Sequence, residues 1–351
     1  MILKNLHTVL KEDYGILSKF LANFEDEERD EEFWLRRMNH WWDENPACKD
    51  KNIRGLYITD EEKNIIGFIG LIPTFFQFNL NTEIIYSATT WRVEKKHRKR
   101  SFLMFSQIVN EANKTFLFDT TPSTSVERIL KAFKFNAFPK LNNATYMYFP
   151  DLKESVIKRF PFIKSISFFL APFFWILAFL QELTLKKSNS LQNTVQILEA
   201  GKEFDDLWEE TKNDSRNTNV RNADVINWLC FSGGVSKKYL FGQYEKGKLI
   251  SYVIFSEIKN QYSKQLILCD IWGSQTSEIV LRDLFSVAIK FGKTNNFDLI
   301  IFNSFNDEQN TVLQRMRLLK RPFTQRRYYK STNELKAEYS YLTLLQGDYS
   351  L

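Results

Sequence analysis

Apolar and polar positions between about residues 53 and 149 fall into one sequence of periods. IRGLYITDEEKNIIGFIGLIPTFFQF sets two β-rich apolar runs on either side of a polar turn, the mark of a hairpin. NTEIIYSATTWRV predicts a third strand. SFLMFSQIVNEANK predicts an amphipathic helix with Phe102, Phe105, Ile108 and Val109 on one side. TFLFDT reads as a short buried strand, TPSTSVERILKAF as a helix with Pro122 near its start, and YMYFP as a closing strand. The order then returns. KKYLFGQYEKGKLISYVIFSEI is strand, turn at Gly247, strand; KQLILCDIWG is a strand; SEIVLRDLFSVAIKFGK is an amphipathic helix; FDLIIFNSF is a buried strand; NDEQNTVLQRMRLL is the closing helix. Trp272 stands in its strand as Trp91 stands in the earlier one. The recurrence of β-β-β-α-β-α at roughly 180 residues is far longer than a solenoid repeat, and it predicts a duplicated α/β (α+β) domain.

The lead-in segments are helical in pattern. From Leu3 to Trp42, Leu6, Leu10, Leu17, Phe20, Leu21 and Phe24 recur at helical spacing. FEDEERDEEFWLRRMNHWW runs from acid to base, as a helix dipole prefers, and Asn45-Pro46 ends it. EFDDLWEETKND and RNADVINWLC parallel this opening before the second copy. The expected organisation is therefore an N-terminal mixed-sheet domain over 1–150, an apolar helical linker over 151–190 and a C-terminal domain over 191–345.

Composition adjusts this picture in a few places. The chain of 351 residues, 44% hydrophobic and 15% aromatic, can fill two cores. A net charge of +6 spread over two domains does not by itself indicate nucleic acid, and local clustering matters more. Cys48, Cys230 and Cys269 are odd in number and far apart, without a CxxC pair; they predict neither a disulfide framework nor a zinc site, and suit a reducing compartment. His7, His40 and His97 are too scattered to suggest a metal site. The N-terminus lacks a long apolar run, so no secretory signal is expected there and a cytoplasmic location is. SISFFLAPFFWILAFLQ, residues 165 to 181, carries no charge, contains Pro172 and is flanked by Lys158, Arg159, Lys164, Lys186 and Lys187. It is a little short of the ~20 residues a spanning helix needs. Two readings stay open for it: a helix docked on its own domains, and one lying on the inner face of an anionic membrane.

The chemistry concentrates in WRVEKKHRKRSFLMF, residues 91 to 105. A strand ends near Val93, a basic loop follows, and a helix begins near Ser101. A helix N-terminus offers free amides and partial positive charge, to which Arg98, Lys99 and Arg100 add full charges. A diphosphate is the natural guest.

The element order and VEKKHRKRSFL at a strand-to-helix junction resemble the GNAT superfamily of acyl-CoA-dependent acyltransferases. Their cofactor loop reads V-x-x-x-x-[RQ]-x-x-G-x-[GA]. Val93 and Arg98 fall in register, Ser101 takes the first glycine position and Leu103 the second. TPSTSVERILKAFKF resembles the family's closing helix: Phe135 matches, Ser123 stands for the usual Asn, and Leu130 for the Tyr that often protonates the departing thiolate. The duplication and the WWDENPA segment resemble tandem bacterial members linked to polysaccharide or envelope synthesis.

The resemblance implies acetyl-CoA or another acyl-CoA as donor, no metal, and an amine, hydroxyl or sugar acceptor. Trp91, Val93, Arg98, Lys99, Arg100, Ser101, Phe102, Leu103 and Ser123 would hold the coenzyme. The strands EIIYSATTWRV and TFLFDT would part around the pantetheine. The first offers no carboxylate between Glu83 and Glu94, so Asp119 and Thr121 at the end of the second are the candidate catalytic groups, with His40 on the acceptor side. The second copy lacks a basic loop and is expected to shape the acceptor cleft, with Arg221, Asn227 and Trp228 as lining residues. Fem-type aminoacyl-tRNA-dependent transferases share the paired fold and remain an alternative, as does a catalytically silent GNAT-fold binding protein. Nucleic acid is not the expected partner.

Overall fold

The computed structural model describes residues 5–112, 115–139, 143–159, 172, 176, 179, 193–260, 263–323 and 325–347. In chain order its strands and helices begin with β1 (Leu6–Thr8), α1 (Tyr14–Ala22), α2 (Glu31–Met38), β2 (Gly55–Thr59), β3 (Ile65–Phe78), β4 (Asn81–Val93), α3 (Arg98–Ala112), β5 (Leu117–Asp119), α4 (Thr124–Ala132), β6 (Asn136–Ala137) and β7 (Ala144–Tyr148). The chain continues through α5 (Leu152–Arg159), β8 (Thr194–Ile197), α6 (Lys202–Thr211), β9 (Thr218–Asn219), α7 (Ala223–Phe231), β10 (Lys238–Glu245), β11 (Lys248–Lys259) and β12 (Lys264–Gly273). It closes with α8 (Glu278–Thr294), β13 (Leu299–Asn303), α9 (Asp307–Arg315), β14 (Leu319–Pro322) and β15 (Tyr328–Lys330). The mixed α/β class and the repeated strand-helix order read from the sequence are both present.

One compact unit comprises Met1–Pro139, Lys212–Val235 and Gln325–Leu351. Its sheet runs β1-β2-β3-β4-β5-β15-β6, with β9 pairing the far end of β3. The other comprises Lys140–Thr211 and Ser236–Thr324, with a sheet in the order β14-β7-β13-β12-β11-β10-β8. The sequence boundaries at 150 and 191 follow the repeat; the compact units cut across it. β7, late in the first copy, pairs with β13 and β14, while β15, late in the second, pairs with β5 and β6.

Local side chains account for this exchange. The Thr145 hydroxyl donates to Asn303 Oδ1 at 3.0 Å, and the Ala144 amide to Ser304 Oγ at 2.9 Å, which fixes β7 to β13. β15 is fixed to α4 through the buried Glu127. Its carboxylate accepts from Tyr328 Oη at 2.6 Å, pairs with Lys131 at 2.7 Å, and is bonded by Arg326. Hydrogen bonds from Lys131 and then Tyr328, with Arg326 adding its charge, hold the Glu127 carboxyl at about 2, below its ordinary 4.5. A carboxyl depressed by folding stabilises the fold above its unfolded value and loses that contribution as pH falls toward the folded one. Glu127→Gln should therefore lower the unfolding temperature at neutral pH by a few degrees and flatten its fall between about pH 4.5 and 2. Scanning calorimetry across that range checks it; an identical acid limb in both proteins would count against the anchor.

The core between sheet and α3 in the first unit includes Leu56, Ile69, Leu71, Phe105, Ile108 and Leu117, all buried. Gly55 is required where it stands: its φ is +148°, and a Cβ would come within 2.3 Å of the Ile69 carbonyl oxygen on the neighbouring strand. In the second unit Leu240, Ile254, Leu266, Leu284, Phe285 and Phe302 are sealed from water. The sequence predicts helix from Leu3 onward, but Leu6–Thr8 pairs with β2 as an edge strand. Residues 165–181, expected as a linking or membrane-surface helix, lie outside the described residues except for Pro172, Ile176 and Phe179. Among the described residues no helix is long and apolar enough to cross a membrane.

Candidate functional site

β4 and β5 run parallel but share only two register pairs, Tyr86 with Leu117 and Ser87 with Phe118. Beyond them β5 ends at Asp119, where its other edge pairs with Tyr328, while β4 runs on to Val93. The two strands fork. On the other edge of β4 the ladder with β3 carries a bulge: Phe68 faces Arg92 and Gly70 faces Thr89, so Ile69 stands opposite both Thr90 and Trp91. Thr90 has φ +48°. A β-branched residue in the left-handed region costs about 1–3 kcal/mol and marks positions that the surroundings force. Trp91 then stacks on Phe105 at 4.5 Å and 12°, tying the end of β4 to α3.

The fork opens on a cavity of about 370 Å³. Ala88, Thr89, Thr90 and Trp91 contribute from β4, and Asp119, Thr121 and Ser123 from the end of β5 and the start of α4. Arg29, Trp34, Arg37 and Arg92 complete the wall. Asp119 is buried, and the Ser123 hydroxyl accepts from the Val126 amide at 3.4 Å, capping α4. At the fork itself Ser87 Oγ and Thr120 Oγ1 are buried without a hydrogen-bond partner among the described residues. Buried hydroxyls of this kind are costly unless a ligand or water satisfies them. Gly347, at φ +112°, brings the backbone so near that a Cβ there would lie 2.0 Å from Thr120 Oγ1.

The basic run turns out to lie within helix rather than ahead of it. A 3-10 turn over Lys95–His97 leads directly into α3, which starts at Arg98, not at Ser101. Lys95 pairs with Glu25, and Lys96 with Glu94 at 3.3 Å. Arg98, Lys99 and Arg100 have no ion-pair partner among the described residues, and the first turn of α3 holds no acid. Three cations crowd the end of a helix where the dipole disfavours them. The Ser101 hydroxyl donates to the Arg98 carbonyl at 2.8 Å. Phe102 stays half exposed with its ring tilted against that of Phe133 at 4.7 Å, Leu103 is exposed, and Val93 packs against the core.

His40 is not among the residues lining the cavity. It is fully buried in a π-helical turn over Asn39–Asp43, with Nδ1 2.8 Å from Ser232 Oγ and 3.3 Å from Glu44 Oε2. Its ring stacks on Trp228 at 5.5 Å, and Trp228 Nε1 donates to the His40 carbonyl at 2.7 Å. This geometry ties α7, which also carries Asn227, to the turn. Arg221 is likewise buried, bonding Thr218 Oγ1 at 2.7 Å and the Asn219 carbonyl at 2.6 Å. Arg29, Trp34, Arg37 and Thr90 escaped the sequence reading. A signal existed in FWLRRM, where Trp34 and Arg37 stand three apart on one helical face.

The second sheet repeats the parallel pair without the opening. β12 and β13 pair from Gln265–Leu299 to Ile267–Ile301. Past that point Asn303 Nδ2 donates to the Leu268 carbonyl at 2.9 Å and bridges the two strands. The helix after β12 begins with Glu278, bonded to Arg282 at 2.9 Å and paired with Arg315. Those hydrogen bonds, Arg282 first, hold the Glu278 carboxyl below its ordinary value. That helix end presents an acid where α3 presents bases. Among the described residues, no group of three His, Cys, Asp or Glu side chains could hold a metal ion.

The sequence matches no family profile, and no curated protein matches it. Solved structures do match. A GCN5-related N-acetyltransferase from Anabaena variabilis superposes with TM-score 0.58 over 92% of this chain and 71% of that one, at 11% identity. The N-myristoyltransferase of Saccharomyces cerevisiae, solved with bound myristoyl-CoA, superposes with TM-score 0.56 over 94% of this chain and 83% of that one, also at 11% identity. The chain therefore has the fold of the GNAT superfamily, with two mixed sheets. At this identity the likeness is one of fold.

Proposed function

We propose that the protein is an acyl-CoA-dependent acyltransferase, moving an acyl group from the coenzyme thioester to an amine or hydroxyl, on a small molecule, a sugar or an envelope precursor. The observation that carries this reading is the fork between β4 and β5, with two buried hydroxyls that have no partner among the described residues, followed in the chain by three cations in the first turn of α3 that have no ion pair among them. Arg98, Lys99, Arg100 and the adjoining amides would hold the diphosphate. Val93, Ser101, Phe102 and Leu103 would border it, and Trp91 and Ser123 would flank the pantetheine in the fork. Ser87 and Thr120 offer hydroxyls that a polar pantetheine arm would satisfy.

The chemistry then falls to the cavity. The bulge at Thr90 and Trp91 turns backbone out of the ladder, where an amide can polarise the thioester carbonyl. The acceptor attacks that carbonyl. A C–N or C–O bond forms, the C–S bond breaks, the acceptor's proton passes to Asp119, and the coenzyme departs as thiolate. Thr121 stands beside Asp119 on the same wall. Leu130, in the place where the superfamily often has a Tyr, is sealed in the core. It cannot protonate the thiolate. That single feature favours a second reading, a protein that binds acyl-CoA without turnover.

Amide hydrogen exchange with and without acetyl-CoA tests the proposal. Protection is expected over 86–101 and 117–124, accompanied by release of free thiol when an acceptor is added. Protection confined elsewhere, or absent, would remove the coenzyme from this fork. Protection without thiol release from any acceptor would select the binding reading.

A further inference from the structure

On β4, Tyr86 and Ala88 pack toward the core beneath α3. Ser87, between them, therefore faces the other side of the sheet. On β5, Leu117 belongs to that core. Phe118 faces away from it, its ring 5.5 Å from that of Phe76 and 5.9 Å from that of Phe116. Thr120 follows just past the end of β5. The fork thus has a far face, walled by aromatic rings, with the hydroxyls of Ser87 and Thr120 at its root.

A third segment of the same compact unit, residues 340–347, reaches this place. The Tyr341 carbonyl accepts from Thr218 Oγ1 at 2.8 Å, and the Thr343 carbonyl from the Arg327 guanidinium at 3.1 Å. Leu342, Leu344 and Leu345 are buried. The segment then sets the Gly347 backbone against the Thr120 hydroxyl, with no room for a side chain between them. Gln346, one residue from that contact, is 2% exposed. Neither its Oε1 nor its Nε2 has a hydrogen-bond partner among the described residues, the condition that Ser87 Oγ and Thr120 Oγ1 share. A buried primary amide left this way calls for a ligand that both donates and accepts.

In the proposed binding mode the pantetheine arm has amides for Ser87 and Thr120, and it ends at the sulfur. The acceptor has the cavity at Asp119. What remains for Gln346 is the acyl group. An unsubstituted acyl chain would suit the rings and leave the Gln346 donor and acceptor both unfilled. A charged one fits no better: Ser87, Thr120 and Gln346 are all neutral, and an ion buried beside them without a counter-charge is costly. We infer that the donor is an acyl-CoA whose acyl group carries a hydroxyl or another neutral hydrogen-bonding group, and that Gln346 is the residue that selects it. This rests on the coenzyme reading and narrows its donor class.

Calorimetric titration of the full chain tests it with matched donors: lactoyl-CoA against propionyl-CoA, and 3-hydroxybutyryl-CoA against butyryl-CoA. The members of a pair differ by one hydroxyl, so contacts to the coenzyme itself cancel in the ratio. The hydroxylated member of at least one pair should bind roughly tenfold tighter, because a site built to bond a hydroxyl discriminates against the analogue that lacks it. Gln346→Met keeps the length and loses both polar atoms. It should bring that ratio to within about twofold of unity, with the unsubstituted donor bound as well as before or better. If Gln346→Met does not fold, Gln346→Asn decides: its amide stands one methylene short and should narrow the same ratio severalfold. Equal affinities within both pairs, a preference that survives the variant, or succinyl-CoA binding more tightly than every neutral donor overturns the inference. Binding of all donors with equal affinity sinks this inference alone. Binding of none, with no exchange protection at the fork, sinks the coenzyme reading beneath it.

Discussion

Changing Arg98, Lys99 and Arg100 together to alanine is expected to weaken acetyl-CoA binding at least ~100-fold without loss of fold. Hydrogen bonds to charged groups contribute about 1.5–3 kcal/mol each. Losing two of them therefore removes on the order of 3 kcal/mol, a little over two decades in affinity. The fold should survive because none of the three side chains has an ion pair to lose among the described residues, and each stands in the first turn of α3. Like charge at that end opposes the helix dipole by about 0.3–1 kcal/mol per residue, and alanine is the better helix former. The unfolding temperature should stay level or rise. Calorimetric titration of acetyl-CoA, repeated at two salt concentrations, reads both the affinity and its electrostatic share. Wild-type affinity should fall with salt, and the triple variant's residual binding should not. A variant that binds as tightly as the parent would place the diphosphate elsewhere.

Much of this site could be read from local pattern, because local pattern is what created it. β4 occupies Asn81–Val93, the bounds set by its apolar alternation, and Asp119, Thr121, Ser123 and Trp91 line one cavity because the last part of β4, the end of β5 and the start of α4 converge there. Other features were invisible for a physical reason. Three-residue strands such as Leu6–Thr8 and Tyr328–Lys330 carry too few positions for a period, and nothing in Tyr328 announces that its hydroxyl will meet Glu127. The start of α3 was misplaced by three residues because a basic run does not look like a first turn; the expected dipole preference was violated there. Trp34 and Arg37 share one face of α2, and nothing in that spacing alone announces that both will line the cavity at the fork.

Asp119→Asn should lower kcat about 100-fold, the lower end of what a positioned general base contributes, while acetyl-CoA affinity stays within twofold. Asp119 ends β5 and is buried, its backbone paired with Tyr328 and its side chain on the cavity wall. Asparagine keeps the size and the hydrogen-bonding reach of the side chain and loses only the capacity to take a proton. A purely structural Asp119 predicts a changed unfolding temperature with kcat little affected. A base predicts the reverse, together with one further signature: the acid limb of the kcat profile, present in the parent, should vanish from the residual activity of the variant. The substitution also separates binding from chemistry, since the diphosphate would be held at α3 and the proton moved at the end of β5. Equal kcat in the two proteins would take Asp119 out of the mechanism and leave Thr121 as the candidate on that wall.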